Sequence, residues 1–276
     1  MTYSRNILLI LLIALPVHMS LAEPSQVVFK NGRSLPISYL SLEGDKFVMK
    51  VAAEGYTIGQ IFPLASVDHI FGEKPAEINQ AIALMLRGKA REARELVQPI
   101  VEKHRISAKI PGSFWPDAAR VLLLTHAMSG DNGNVTTLSR EISSVTGAQG
   151  VDPFQLLGNA LLLPPTTKVE ERLLAMRDLT ADNLPSDVRA YASFFLGNIL
   201  KKEKKTPEAL EAYLSVPCLY PSGGLILNAA AELDAADILT ILKRREEALA
   251  LVQSALLAST GTLLADEANA RLKSLQ

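Results

Sequence analysis

Few residues in this chain have the type and spacing for covalent chemistry. Its four histidines are His18, His69, His104 and His126. They are scattered, without the i, i+4 pairing that aims two imidazoles from one helix face at a zinc ion. Cys218 is the one cysteine, so no internal disulfide can form and no structural zinc site can rest on thiolates. It reads as a half-buried thiol in a loop before Tyr220-Pro221. No Gly-x-Ser-x-Gly turn presents a strained nucleophile. Gly147-Ala148-Gln149-Gly150 has neither the preceding strand nor the following Lys-Ser/Thr of a phosphate cradle and reads as a loop. The pairs Glu170-Glu171 and Glu246-Glu247 fall where helices should begin, where carboxylates meet the positive end of the dipole. The expectation is no catalytic residue, no metal site and no cofactor.

Composition points the same way. The 276 residues are 48% hydrophobic and 21% charged, enough apolar content for a core and too little charge for a disordered chain. Aromatics supply only 5%, so Ala and Leu carry the interior, which favours helices in close contact through small side chains. A net charge of −1 offers no electrostatic footprint for nucleic acid or an anionic membrane surface.

The elements that must position any functional side chain are clearest over residues 190–223. Phe194, Phe195, Ile199 and Leu200 give one helix an apolar side. Thr206-Pro207-Glu208 starts a second, with Thr206 as N-cap and Pro207 at the first helical position. Gly197 lets the two helices approach. The same separation of twelve from a small residue to an alanine recurs at Ala81–Ala93, Gly197–Ala209 and Ala236–Ala248, each across an expected helix turn.

Leu196-Gly197, Ala209 twelve residues on, Tyr213 four later and Pro221 eight after that resemble the tetratricopeptide repeat (TPR) family. Ser193 departs from the family's preference for a large aromatic, and Pro217 should end the second helix about a turn early. The resemblance implies an open stack of helix pairs, right-handed, with ligands in a concave groove lined by the first helix of each pair. Carried onto this chain, the groove positions are Tyr191, Phe194, Asn198 and Lys201. Their counterparts are Ile78, Ile82 and Met85 in the first pair, and Leu233 and Asp237 in the last.

The helical pattern begins at Lys74. Its pairs are 76–86 with 89–103, 114–129 with 134–145, 152–163 with 169–179, the two helices flanking Gly197 and Ala209, and 232–259. A helix at 265–275 should cover the last pair. The stretches 109–115 and Pro164-Pro165 are expected to be exposed edges. Residues 26–72 differ in character. Gln26–Lys30, Leu35–Leu42, Lys46–Val51, Tyr56–Phe62 and Ala65–Phe71 read as strands. Asn31-Gly32 is expected to be a hairpin turn in which both central residues take positive φ. This order looks like the small SH3-like or Sm-like barrels.

Residues 1–22 read as a secretory signal. Arg5 precedes the apolar run Ile7–Val17, and Ser20-Leu21-Ala22 supplies small residues for cleavage. The run is shorter than the ~20 residues that cross a bilayer. The expected organisation is therefore α+β. A signal peptide (1–22) precedes a small antiparallel β-barrel-like module (23–72) and an all-α TPR-like solenoid with a capping helix (73–276). The expected function is a non-catalytic scaffold, exported to the periplasm, that binds a protein or peptide and no nucleic acid. Alternatives are a self-assembling component tethered through an uncleaved N-terminus, and an envelope enzyme pairing His69 or His126 with a carboxylate in a deep pocket.

Overall fold

The structure is a computed structural model and describes residues 25–147 and 151–275. The expected signal segment lies outside the described residues, as do residues 148–150 of the loop read at Gly147–Gly150. The chain is α+β. Six strands form two three-stranded antiparallel sheets, and eleven α-helices follow among the described residues.

The first sheet has the order β2-β1-β6, from Ser34–Pro36, Gln26–Phe29 and Val67–Phe71. The second is the meander β3-β4-β5, from Leu40–Glu43, Lys46–Met49 and Ile61–Pro63. Alternation along β1 and β4 turns Val27, Phe29, Phe47 and Met49 inward, where they join Leu35, Leu40 and Ile70 in one core. The expected strand 35–42 is interrupted by a 3₁₀ turn at Ile37–Tyr39 that carries the chain from one sheet to the other. Of the expected strand 56–62 only its end pairs with β4, while Tyr56 makes a single bridge to Ala53. At the first hairpin Gly32 takes φ +81° and Asn31 does not take a positive value. The Gly32 N–H donates to Phe29 O at 2.8 Å, and the Phe29 N–H to Arg33 O at 2.8 Å. This is a type I turn closed by a glycine bulge, in place of the expected two-residue turn.

The stretch 109–115 is not an exposed edge. Ile110 is buried in the β core, Ile106 packs beside it, and the Ile70 N–H donates to Pro111 O at 2.8 Å. The connection between the second and third helices is thus the seat of the β sheets.

The helices fall into two kinds. α1 (Ala76–Leu86), α3 (Trp115–Met128), α5 (Pro153–Leu161), α7 (Ser186–Lys202) and α9 (Leu225–Ile241) alternate with α2 (Ala90–His104), α4 (Asn132–Thr146), α6 (Val169–Asp178), α8 (Thr206–Leu219) and α10 (Arg245–Ala258). α9 buries 12 of its 17 residues and α3 buries 10 of 14, whereas α10 buries 3 of 14 and α2 buries 4 of 15. A helix apolar on all sides must be surrounded, and a striped one can face water. The odd-numbered helices are accordingly the inner ones.

Each inner helix packs on the next, and α9 packs back on α1. The last helix, α11 (Leu263–Leu275), lies against α1, α9 and α10. The expectation of an open stack with a long concave surface is therefore corrected. The five inner helices form a closed ring, and the helices that would line a groove meet one another instead.

Four of the hairpins share one turn. Gly88, Gly130, Lys204 and Lys243 occupy the same left-handed position, at φ +76°, +75°, +58° and +62°. The residue after each donates its N–H five residues back: Lys89 to Leu84, Asp131 to His126, Lys205 to Leu200 and Arg244 to Leu239. That repeated geometry corrects the expected cap of α8. Lys205 is the N-cap, and Thr206 is the first helical residue.

Pro217 does not end α8, which continues to Leu219. The Tyr220 N–H bonds Val216 O at 3.1 Å, and Arg189 holds the Tyr220 ring and hydroxyl, so the final turn has anchors beyond the proline. Cys218 is exposed on that helix rather than half-buried in a loop.

Candidate functional site

α7 carries the four residues singled out in the sequence, and the ring distributes them along its length. Tyr191 stands at the end where the inner helices begin. Phe194 is fully buried in mid-helix, against Phe195 and Tyr213. Asn198 and Lys201 stand at the end where the inner helices finish. The expectation that all four share one groove face is corrected: Phe194 is core, and Tyr191 opens into a different cavity from Asn198 and Lys201. Among their counterparts, Ile78, Met85 and Leu233 are likewise core.

The end that holds Asn198 contains a cavity of about 1000 Å³. Its walls come from the last turns of α1, α3, α5 and α7, from α6 and α9, and from the Leu162–Pro165 loop. They are mostly aliphatic, with Leu86, Met128, Leu161, Met176, Phe195 and Ile199 among them. The Pro164-Pro165 loop is exposed, as its sequence suggests, and forms part of the rim.

Gly197 and Tyr213 set the position of Asn198. A Cβ on Gly197 would lie 2.7 Å from Tyr213 Cε1, so the ring of α8 rests directly on the backbone of α7. The Tyr213 hydroxyl then donates to Asn198 Oδ1 at 2.7 Å. That bond fixes the amide's orientation and leaves its N–H groups without a protein partner at the cavity wall. Burial and the nearby Asp234 push the Tyr213 phenol far above its usual range, so it remains a donor.

Lys201 is committed within the protein, not left for a partner's carboxylate. Its Nζ lies 3.0 Å from Asp234 Oδ1 and 3.5 Å from Asp237 Oδ2. Arg87 Nη1 meets Asp234 Oδ2 at 2.7 Å, and Arg87 Nε meets Glu267 Oε2 at 2.9 Å. Arg271 closes the figure, 2.7 Å from Asp237 and 3.2 Å from Glu267. Six charges of alternating sign thus form a closed circuit joining α1, α7, α9 and α11. Burial alone would raise the Asp237 carboxyl, but Arg271 and Lys201 hold it below the ordinary range. These carboxylates are bound up in ion pairs and are poor candidates for moving a proton.

The remaining cations at the cavity are Arg172 and Lys202, and neither makes an ion pair among the described residues. His126 does pair with a carboxylate, Nδ1 to Asp131 Oδ2 at 2.9 Å, but Asp131 also caps α4 through the Asn134 N–H, and neither residue lines the Asn198 cavity. His69 bonds its neighbour Asp68 at 2.8 Å on β6, with both side chains open to solvent. Among the described residues no three or more His, Cys, Asp and Glu side chains are placed to hold a metal ion, and no helix is long and apolar enough to cross a membrane.

Reading by residue type passed over Arg87, Asp234, Glu267 and Arg271. One signal for them was present: Glu232, Asp234 and Asp237 are the acids in a helix built mostly of Ala, Leu and Ile. A second repeat was also legible, since Leu157-Gly158-Asn159 precedes Leu161 as Leu196-Gly197-Asn198 precedes Leu200. In both helices the glycine is a point of contact, with Leu123 and Val135 crowding Gly158.

No protein-family model, no curated protein and no solved structure matches the chain.

Proposed function

We propose that this chain is an exported, non-catalytic scaffold that holds a segment of a partner protein or a peptide at the cavity beside Asn198. One observation carries the reading: a large aliphatic cavity which, beside the paired Arg87, Lys201 and Asp234, offers a preset amide donor, Asn198, and two cations without an ion pair among the described residues, Arg172 and Lys202. Such a surface suits an apolar segment flanked by acidic residues. The recurring helix hairpins, with four equivalent turns and the close contact at Gly197, support a TPR-like origin for the array. The two β sheets over one core support an SH3-like reading of the N-terminal module. The composition of residues 1–22 supports export, with the periplasm as destination.

Fluorescence anisotropy with labelled peptides tests the proposal, using an apolar core of about six residues with acidic or basic flanks. The acidic set should bind more tightly, and Met128→Lys should abolish binding. Arg172→Glu with Lys202→Glu should reverse the preference between the sets. Equal binding of both sets by the parent and the double variant would refute the proposal.

A further inference from the structure

At the opposite end of the ring the inner helices begin, and a second cavity of about 390 Å³ opens between their first turns. It is separate from the Asn198 cavity: the two share no lining residue. Its floor is apolar, formed by Ile82, Val121, Leu124 and Phe154.

Three sets of donors converge on it. Tyr191 is 6% exposed and sits edge-on to Phe154 at 5.8 Å, yet its hydroxyl makes no hydrogen bond and reaches the cavity. The Arg120 guanidinium lies over the Phe154 ring at 4.8 Å. Its nearest carboxylate oxygens, on Asp152 and Asp187, are at 3.5 and 3.8 Å, and its Nε is buried without a partner. Finally, α9 starts at Gly224 with no side-chain cap. The first N–H to turn back into the helix is that of Asn228, so those of Leu225, Ile226 and Leu227 remain to be satisfied at the cavity wall.

The walls also carry acids. Asp117 is paired with Lys74 at 2.8 Å, and Asp187 accepts from the Val188 N–H at 2.9 Å, leaving its other oxygen only the long contact to Arg120. Burial and the charges of Asp117 and Asp187 push the Tyr191 phenol up, so its hydroxyl stays protonated. Among the residues that line the cavity, Lys74 and Arg120 balance Asp117 and Asp187 in formal charge, and Asp152 lies behind Arg120, so an anion without a cationic group is disfavoured in this partly desolvated space.

We propose that this cavity binds a small zwitterion with an apolar side chain, a free α-amino acid. Its carboxylate is received by Arg120, the Tyr191 hydroxyl and the start of α9. Its ammonium is received by Asp187, and its side chain lies on the Ile82–Leu124–Phe154 floor. The site stands on observations separate from those behind the peptide-binding proposal.

Titration calorimetry of the full chain with three matched probes tests it: L-phenylalanine, 3-phenylpropionate without the ammonium, and phenethylamine without the carboxylate. L-Phenylalanine should bind at least tenfold more tightly than either analogue. Tyr191→Phe keeps the ring packing and should weaken L-phenylalanine by about five- to tenfold. Asp187→Asn keeps the helix-start oxygen; it should weaken L-phenylalanine and strengthen 3-phenylpropionate. Equal affinity for the three probes overturns the proposal, as does indifference of the L-phenylalanine affinity to both substitutions. Absence of heat from all three up to roughly 10 mM, with unchanged amide NMR shifts around the cavity, overturns it as well.

Discussion

The Tyr213 ring lies against the backbone of Gly197, so near that a methyl group there would stand 2.7 Å from Cε1 and 2.8 Å from Cδ1. The obstacle is the rigid face of a fully buried aromatic, not the flexible end of a chain. Gly197→Ala should therefore destabilise the protein by about 1–3 kcal/mol, read by urea unfolding. Tyr213→Phe retains the contact and loses only the bond to Asn198, so it should cost about 1 kcal/mol. Equal losses for the two would place the helix contact elsewhere.

The charge circuit joins the first helix to the last, through Arg87 to Asp234 and Glu267. Asp234→Asn strips two cations of a common partner in a nearly buried setting and should cost about 2–4 kcal/mol. Most of that loss should persist in 1 M salt, because ions cannot reach a pair whose side chains are 15% and 11% exposed. A loss that disappears in salt would mean the ring is open in solution.

Two of the four equivalent turns place lysine where glycine serves in the others. An L-residue in the left-handed region is strained by roughly 1–2 kcal/mol, and glycine's extra freedom in the unfolded chain offsets part of the relief. Lys204→Gly and Lys243→Gly should each gain about 0.5–1 kcal/mol, and Gly88→Ala and Gly130→Ala should each lose about 1 kcal/mol. Thermal melts of the four variants decide this.

Two buried groups give opposite pH slopes. Burial raises the Glu232 carboxyl, whose Oε2 has no partner while Oε1 accepts from Ser254 at 2.8 Å. The unfolded chain releases that proton at lower pH than the folded one, so stability falls as pH rises from the ordinary carboxylate range through the raised value. Glu232→Gln should be more stable than the parent at pH 7 and equal to it below about pH 4. Burial, with help from Lys103, lowers His104, so stability is full above its unfolded value and falls as pH drops through the folded one. His104→Phe should flatten the fall in stability below about pH 6.5, leaving the slope from His126.

Much of the helical region was legible because its signals are local. The first two helices, the start of α3 at Trp115-Pro116 and the hairpin around Gly197 follow from apolar spacing, first-turn acids and breakers within a few residues. Errors arose where distant groups override a local rule. Pro217 is carried through by Tyr220, which Arg189 holds from another helix. The 109–115 stretch is covered because Ile110 completes a core built from the N-terminal strands.

The candidate site was legible only in part. Asn198 was named for its amide, and it does face a cavity, but Tyr213 decides its orientation. Lys201 was named for its charge, which Asp234 and Asp237 absorb. The TPR resemblance puts Phe194 and Tyr191 beside them on one helix stripe, and a stripe does not report what surrounds it.

Amino-acid order by itself determined where most of the helices run, which region is β, where the helix hairpins turn and which small residues sit between paired helices. Those choices rest on backbone propensity and on contacts within about fifteen residues. Tertiary structure alone decided that α1 meets α9 and α11, and with it the charge circuit, two separate cavities and the division of α7 between them. Arg87 and Glu267 are 180 residues apart. Whether they touch depends on the small rotation from each hairpin to the next, summed around the ring, and no local pattern encodes that sum.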